Sequence, residues 1–517
     1  MAKNIVLDAL IPREDFEVDD DASGTTRNVA TIGARDLEYD SFFFSALRKP
    51  DFQRETNEWD EKRIVSLIES FISGDLIPAV ILWRSAASYT FVIDGAHRLS
   101  ALAAWINNDF GDGDISKGFY DGVIPEEQIE TAENTRKSVR KQIGLYSDYK
   151  LALRSPEKVE SHIVDKAKSL GALPIQVQWV EGDAKKAESS FFKINQQAAS
   201  IDKTELKLLK SRRKPSGIAT RAILRSGKGH KYWSSYGKEV QSKIQDLAEE
   251  INEIIFQPSL KNPVKTLDLP MGGKNFSAQG QSLILELVNK TNGIDKNSDD
   301  SDDTDGQNTI KYLNKCLKVV RRLNSVHPSS LGLHPAVYFY SKDGRHKPAS
   351  FWAAIDFIQE LDKQNKYSWF TDVRSKFEDF LLSYDYIIQQ LVRKYRSATA
   401  AYPYITKLYF IVVALLRSDC SVDDLPKKIK EDKDFSFITL NNVDGDEVTS
   451  KDFSRERKSE VFIREAIDSA VKCAICGGLL HKNSITVDHA HRKEDGGLGS
   501  VDNGQLAHPY CNSTYKN

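Results

Sequence analysis

The chain lacks any long apolar run. Its longest, Leu408–Leu416, has nine residues and is closed by Arg417, against the roughly 20 needed to cross a bilayer. It also lacks a signal-peptide core, because Met1-Ala2-Lys3-Asn4 leads into Arg13, Glu14 and Asp15. These absences predict a cytoplasmic protein with no membrane partner. Charge of neither sign dominates: 72 Lys and Arg against 74 Asp and Glu leave a net −2. A nucleic-acid footprint therefore has to be local. No G-x-x-x-x-G-K-[ST] stretch occurs, which disfavours a P-loop ATPase, and no internal repeat is seen. Cysteine is scarce, with five residues in 517.

What is present is an ordinary globular balance, 40% hydrophobic and 28% charged. It excludes collagen-like, mucin-like and wholly disordered chains. A chain of 517 residues exceeds the size of one hydrophobic core and predicts two to four domains. Residues 1–44 read as an irregular polar arm with an acidic stretch at 17–21 and aromatics at 42–44. From 45 to 215 helix and strand alternate: a helix over 60–73, strands over 79–83 and 89–93, a helix over 98–106, a strand over 175–180, and helices over 184–194 and 203–213. Residues 216–420 are mostly helical by period. Within them 291–307 carries six aspartates in seventeen residues and predicts a solvated loop. Residues 421–456 are rich in Asp and Lys and read as a linker, and 457–470 as a short helix leading into the tail 457–517.

That tail holds three of the five cysteines. It reads Cys473-Ala-Ile-Cys476, then Val487-Asp488-His489, Gly496-Gly497, Asn503 and His508-Pro-Tyr-Cys511-Asn512. The pairs C-x2-C and H-x2-C flank 31 residues, and each can give two ligands to one tetrahedral Zn²⁺. In a reducing compartment such clustering indicates metal rather than disulfides. A tail of about 45 residues buries little core, so a structural metal would supply folding energy. Cys316 and Cys420 stand alone in helix-like sequence and are expected as buried thiols. Asp488-His489 ends a β-branched run. A His beside an Asp suits phosphodiester hydrolysis, with the carboxylate on a divalent cation and the imidazole taking a proton from water. His491 competes as base or ligand, since it would share a face with His489 if the strand continued.

The ordered set Cys-x2-Cys, Asp-His, Gly-Gly, Asn and Cys-Asn resembles the HNH family of ββα-metal nucleases. The resemblance implies His489 as general base and Asp488 and Asn512 as Mg²⁺ or Mn²⁺ ligands. It further implies Asn503 as the loop brace and Cys473, Cys476, His508 and Cys511 as zinc ligands. His508 replaces the commoner Cys, and the final helix is short, with Lys516 standing loosely for the usual basic residue.

A second motif, Phe91-Val-Ile-Asp94-Gly95-Ala-His97-Arg98, reads as strand, turn and helix start. A helix N-terminus attracts anions, Gly95 permits close backbone approach, and Arg98 is a bidentate phosphate donor. Asp94 suits a metal or a water, although many helices simply start Asp-Gly. With Phe52-Gln53-Arg54 and Trp59 before it and Phe191-x3-Asn195 after it, the order resembles the ParB/sulfiredoxin-like superfamily. The branch is the DGQQR or DGQHR type of GmrSD-like restriction enzymes, with Ala96 in place of the usual Gln. That resemblance implies a domain that binds and often hydrolyses a nucleoside triphosphate, adding an NTPase to the nuclease, or that senses modified DNA, its pocket lined by Asp94, Gly95, His97 and Arg98 with Gln53, Arg54 and Asn195 nearby. Lys203, Lys207, Lys210, Arg212, Arg213 and Lys214 cluster, and the first three, at helical spacing, make a basic stripe that either tracks phosphates or is a solvated helix face. Val337-Tyr338-Phe339-Tyr340, with Arg345, His346 and Lys347, reads as a core strand plus turn rather than a base-stacking platform.

The reading is thus a multidomain α+β protein: a ParB-like α+β N-terminal domain, a mostly helical middle and a small zinc-supported ββα-metal tail. The expected function is a DNA endonuclease gated by nucleotide or DNA modification, acting in antiphage restriction, with homo-oligomerisation a further candidate. The alternatives are an RNA-directed HNH nuclease and a non-catalytic, nucleotide-switched DNA-binding protein whose zinc tail only assembles.

Overall fold

The computed structural model describes residues 4–14, 28–50, 53, 56, 59–85, 88–119, 124, 126–198, 203–228, 232–275, 278–294, 301–440 and 451–514. The acidic stretch 17–21, Arg54, Lys516 and the Asn195 side chain lie outside them. The chain is mixed α+β and divides into two compact units, Met1–Arg212 with Lys228–Tyr232, and Arg213–Gly227 with Trp233–Asn517.

The first unit is built on a mixed six-stranded sheet. Its strands are β1 (Arg13–Glu14), β2 (Thr31–Ile32), β3 (Leu47–Pro50), β4 (Val80–Arg84), β5 (Thr90–Asp94) and β6 (Ile175–Trp179), in the order β1-β3-β5-β4-β6-β2. Alternation along the two central antiparallel strands sorts side chains to two faces. Val80, Leu82 and Val92 join one core with Ile64, Ile68, Leu99 and Leu102 from the helices Glu61–Ser73 and Ala96–Ile106. Trp83, Phe91 and Ile93 join another with Ala187, Phe191 and Leu209 from the helices Ala184–Ala198 and Lys203–Lys210. The helix Glu61–Ser73 begins at Asp60, whose carboxylate accepts from the Arg63 amide at 3.0 Å, and ends at Gly74 in the left-handed region. Both are ordinary helix stop and start chemistry.

The irregular arm is a correction. Ile5, Leu7, Leu10 and Ile11 are buried in the first core, and β1 and β2 pair into the sheet. Polar neighbours diluted those apolar residues in the sequence. Under them, buried Asp8 accepts from Arg13 at 2.7 Å and from Lys49 at 2.7 Å.

The second unit is helical except at its C-terminal end. The helix Ala398–Arg417 is the one helix among the described residues long and apolar enough to cross a membrane by length and composition. It packs Ile405, Leu408, Val412 and Leu416 into the interior, and its Lys407 pairs with Asp432 and Asp434 at 2.8 and 2.7 Å. The linker reading is corrected by the same packing. Leu425–Lys430 is a helix, and Leu425, Ile429, Phe435 and Ile438 are fully buried, because sparse apolar residues among many Lys and Asp suffice for docking. Val337–Tyr340 is also corrected: Pro335–Tyr338 is a helical turn, started by a proline, and the aromatics are buried. Cys316 is buried, with its thiol pushed up to about 12 by that burial. Cys420, expected buried, is half-exposed.

The acidic loop departs most from its composition. Thr291 and Asn292 finish the helix Ala278–Asn292, and Asp303 is buried. Its carboxylate accepts from the Gly306 amide at 3.1 Å and from the Thr309 amide and hydroxyl at 2.8 and 2.7 Å. It thereby satisfies open N–H groups at the start of the helix Gln307–Leu323. Tyr236 donates to the Asp303 carbonyl at 2.7 Å. Asp303→Ala should cost about 1–3 kcal/mol, the penalty for stranding buried donors, and Asp303→Asn less. Urea unfolding of the full chain measures both.

Candidate nuclease and sensor sites

The C-terminal end is a hairpin and a helix. β7 (Thr486–His489) pairs antiparallel with β8 (Gly504–Ala507), placing Asp488 opposite Gln505 and His489 opposite Gly504. The helix Pro509–Thr514 follows. Asp488 is buried and accepts from Gln505 Nε2 at 2.8 Å. His489 is half-exposed, and strand alternation sends it to the opposite face. Asn512 donates to Thr486 Oγ1 at 3.3 Å and to the Val487 carbonyl at 3.4 Å. Its amide nitrogen is thus engaged.

Asn503 acts as a clamp across the loop joining the strands. Its side-chain oxygen accepts from the His491 amide at 2.6 Å, and its nitrogen donates to the carbonyls of His491 at 3.0 Å and Leu498 at 2.8 Å. A side-chain amide here imitates a strand partner. The condition that would have put His491 beside His489 is not met: the strand ends at His489, and His491 is exposed in the clamped loop.

Before the hairpin, a tight turn holds Cys473 and Cys476. The Cys473 amide donates to Gly478 at 2.8 Å, the Gly477 amide to Cys473 at 2.9 Å, and the Ala474 amide to Leu506 on β8 at 2.9 Å. These contacts bring the Cys473, Cys476 and Cys511 sulfurs and a His508 nitrogen within 4.8 Å of one another. Four such donors at that separation fit a tetrahedral Zn²⁺. His508 Nε2 lies 3.1 Å from the Leu479 carbonyl and Nδ1 lies 3.3 Å from Cys476 Sγ. Nε2 therefore carries the proton and Nδ1 faces the sulfurs, the usual division for a liganding imidazole. Without metal, hydrogen bonds from Cys476 and Cys511 hold the Cys473 thiol far below its ordinary range, while the same contact pushes Cys476 up to about 11.

Sequence reasoning missed the floor on which this end rests. Fully buried Arg374 donates to Glu378 at 2.7 Å and to the carbonyls of Leu331 and Gly332, the latter at 2.9 Å. Its guanidinium lies 3.3 Å from His508 Nδ1. Glu378 also accepts from Tyr338 at 3.0 Å and from the Leu479 amide at 2.7 Å. Gly332 sits at φ +60, and a Cβ there would fall 2.4 Å from His508. Arg374 and Glu378 form an i,i+4 pair that in sequence looks like any surface pair. Nearby, Asn324 Nδ2 lies 2.9 Å from His481 Nδ1, and His334 packs edge-on against His481 at 5.3 Å.

In the first unit, Asp94 and Arg98 form a 2.8 Å ion pair, and Arg98 also donates to the Ala79 carbonyl at 3.2 Å. Gly95 has φ +99, and a Cβ there would meet Val80 at 2.6 Å, so the turn itself requires glycine. Trp59 stacks on His97 at 5.9 Å, joining the segment before the helix Glu61–Ser73 to the start of the helix Ala96–Ile106. Gln53 is buried. Gln53 Oε1 and Arg98 Nε have no hydrogen-bond partner among the described residues. Of the basic stripe, Lys207 and Lys210 are exposed, and Arg212 pairs with Glu188 at 3.0 Å.

The family model described as GmrSD restriction endonuclease, N-terminal domain, matches residues 38–310, just over half of the chain. The chain belongs to this family. A second model, HNH endonuclease, matches residues 473–517, the segment that carries the Cys3His cluster and the hairpin. Neither the curated proteins nor the solved structures gave a match. The GmrSD-type protein is therefore a nuclease of restriction-like function with DNA as its substrate.

Two outcomes follow from this geometry. Asn503→Ala should speed hydrogen exchange at the loop amides of 491–498 while zinc content persists, since three modest hydrogen bonds are lost. Burial pushes His334 down to about 3 and His481 down to about 4, from an ordinary 6.5. A histidine with a depressed folded pKa contributes fully above pH 6.5. That contribution is lost as the pH falls towards 4, at up to about 1.4 kcal/mol per pH unit for each ring. Urea midpoints of the full chain between pH 7.5 and 5 should fall accordingly.

Proposed function

We propose that this protein hydrolyses DNA phosphodiester bonds at its HNH end under the control of its N-terminal unit, in restriction of modified or foreign DNA such as that of phage. The observation that carries the reading is the register of the hairpin, with Asp488 and His489 at a strand end and Asn503 clamping the loop. His489 takes a proton from the attacking water, a role suited to an imidazole near neutral pH. Asn503 fixes the loop through which substrate is approached. Asp488 lies on β7 and Asn512 bonds to Thr486 and Val487 of the same strand, and Mg²⁺ or Mn²⁺ held by them would polarise the scissile phosphate. Cys473, Cys476, His508 and Cys511 hold a structural zinc.

For the N-terminal unit we propose a ParB-like sensor whose turn at Asp94–Arg98 receives a nucleoside triphosphate or a DNA phosphate. The buried Arg98 Nε, with no hydrogen-bond partner among the described residues, supports a polar ligand there.

The test is cleavage of modified and unmodified phage DNA by the full chain with Mg²⁺ or Mn²⁺ and each nucleoside triphosphate in turn. His489→Ala should lose about 10²–10⁴ in rate, the usual loss for a general base, with DNA binding and zinc retained. His491→Ala should keep much of its activity. If both variants still cut, the tail is only a zinc-supported binding module. Arg98→Ala should abolish nucleotide response while basal cutting continues, and an unchanged response removes this pocket from the reading.

A further inference from the structure

The metal centre and the helical body of the second unit meet at one side chain. Arg374 stands on the helix Arg374–Ser383, more than a hundred residues from His508, and has no exposed surface. Its donors go to the carbonyls of Leu331 and Gly332 and to Glu378, and its guanidinium lies 3.3 Å from the nitrogen of His508 that faces the sulfurs. Glu378 reaches the same knuckle independently, accepting the Leu479 amide at 2.7 Å, while the Leu479 carbonyl takes the His508 Nε2 proton at 3.1 Å. An open circuit results: His508 donates to Leu479, Leu479 to Glu378, and Arg374 to Glu378, which brings the guanidinium back beside the His508 ring while the Nδ1 lone pair is left for the metal.

Charge gives this circuit a purpose. Three thiolates around one divalent cation leave one net negative charge, and such charge in a buried site requires a compensating partner. Tyr338 and the Leu479 amide hold Glu378 as a carboxylate, and the guanidinium stands between that carboxylate and the sulfur cluster, acting on both.

We propose that Arg374, oriented by Glu378, is a positioning residue of the zinc centre. It offsets the negative charge of the liganded thiolates and ties metal occupancy to the packing of residues 331–333 in the helical body. This rests on the zinc reading, and metal analysis is therefore done first. Full-length protein as purified should contain one zinc per chain; its absence removes the zinc assignment, and the role of Arg374 with it. With zinc present, Arg374→Met should hold it about 10–100-fold less tightly, the range for loss of an outer-shell partner. Arg374→Lys should restore part of that loss, and Glu378→Gln should fall between. In cobalt-substituted protein, the thiolate-to-metal absorption bands should shift in Arg374→Met and return towards the parent in Arg374→Lys. Should Arg374→Met fail to fold, the unaltered chain still decides. Removing zinc should accelerate hydrogen exchange at the Leu331 and Leu333 amides, which are bonded to the Arg322 and Leu323 carbonyls at 2.8 Å. Unchanged zinc affinity and cobalt spectrum in a folded Arg374→Met, or unchanged exchange at 331 and 333 after zinc removal, overturns the proposal.

Discussion

A segment of about 45 residues cannot fold on apolar burial alone, and the HNH end shows the consequence. Val487, Leu498 and Val501 are largely exposed, so little apolar area holds the hairpin down. The hairpin is held instead by polar groups with defined partners. Ser330 meets Ser484 at 2.9 Å, the Tyr510 amide donates to the Ser330 carbonyl at 2.9 Å, and Ser513 donates to the Pro328 carbonyl at 2.9 Å. Directional bonds of this kind contribute modestly one by one, and each partner left unpaired in the interior costs more than the bond gained. The hairpin is therefore specified by exact pairing more than by bulk.

That dependence explains what sequence could and could not show. Cys473, Cys476, His508 and Cys511 are legible because chelation imposes fixed spacing on chemically distinctive residues. Asp488, His489 and Asn503 stand out in sequence by their order alone, and the structure shows what an amide does at 503: with both donor and acceptor it serves His491 and Leu498 together. Arg374, Glu378 and Gln505 carry no such mark. Their importance comes from burial and from partners more than a hundred residues away, or from a strand register that the sequence does not print. The strand Leu47–Pro50 and the helices between Asp114 and Leu170 went unread, while β4, β5, β6 and the helices beside them were visible as alternation and period to within a few residues. The short strands at Arg13 and Thr31 were not, because two paired residues have no period.

Composition misled wherever a few residues outweighed many. The stretch around Asp303 is acidic throughout, yet a single buried carboxylate anchors the next helix. The segment after Arg417 is rich in charge, yet Leu425, Ile429, Phe435 and Ile438 fix it to the helical body. On the N-terminal side the converse holds. Gly95 was read for its freedom to approach a ligand, and its neighbours show that the turn needs a glycine in any case.

The packed segment after Arg417 bears on how such a protein can be rearranged over evolution. The cutting end shares Arg374 and Glu378 with the helical body, so it is not a cassette that can be moved by itself. A recombination point placed just upstream of Cys473 would carry the metal ligands to a new host and leave Asn324, Ser330, Arg374 and Glu378 behind. The smallest heritable module that keeps the hairpin on its own floor is the whole second unit, whose boundary lies near Arg212.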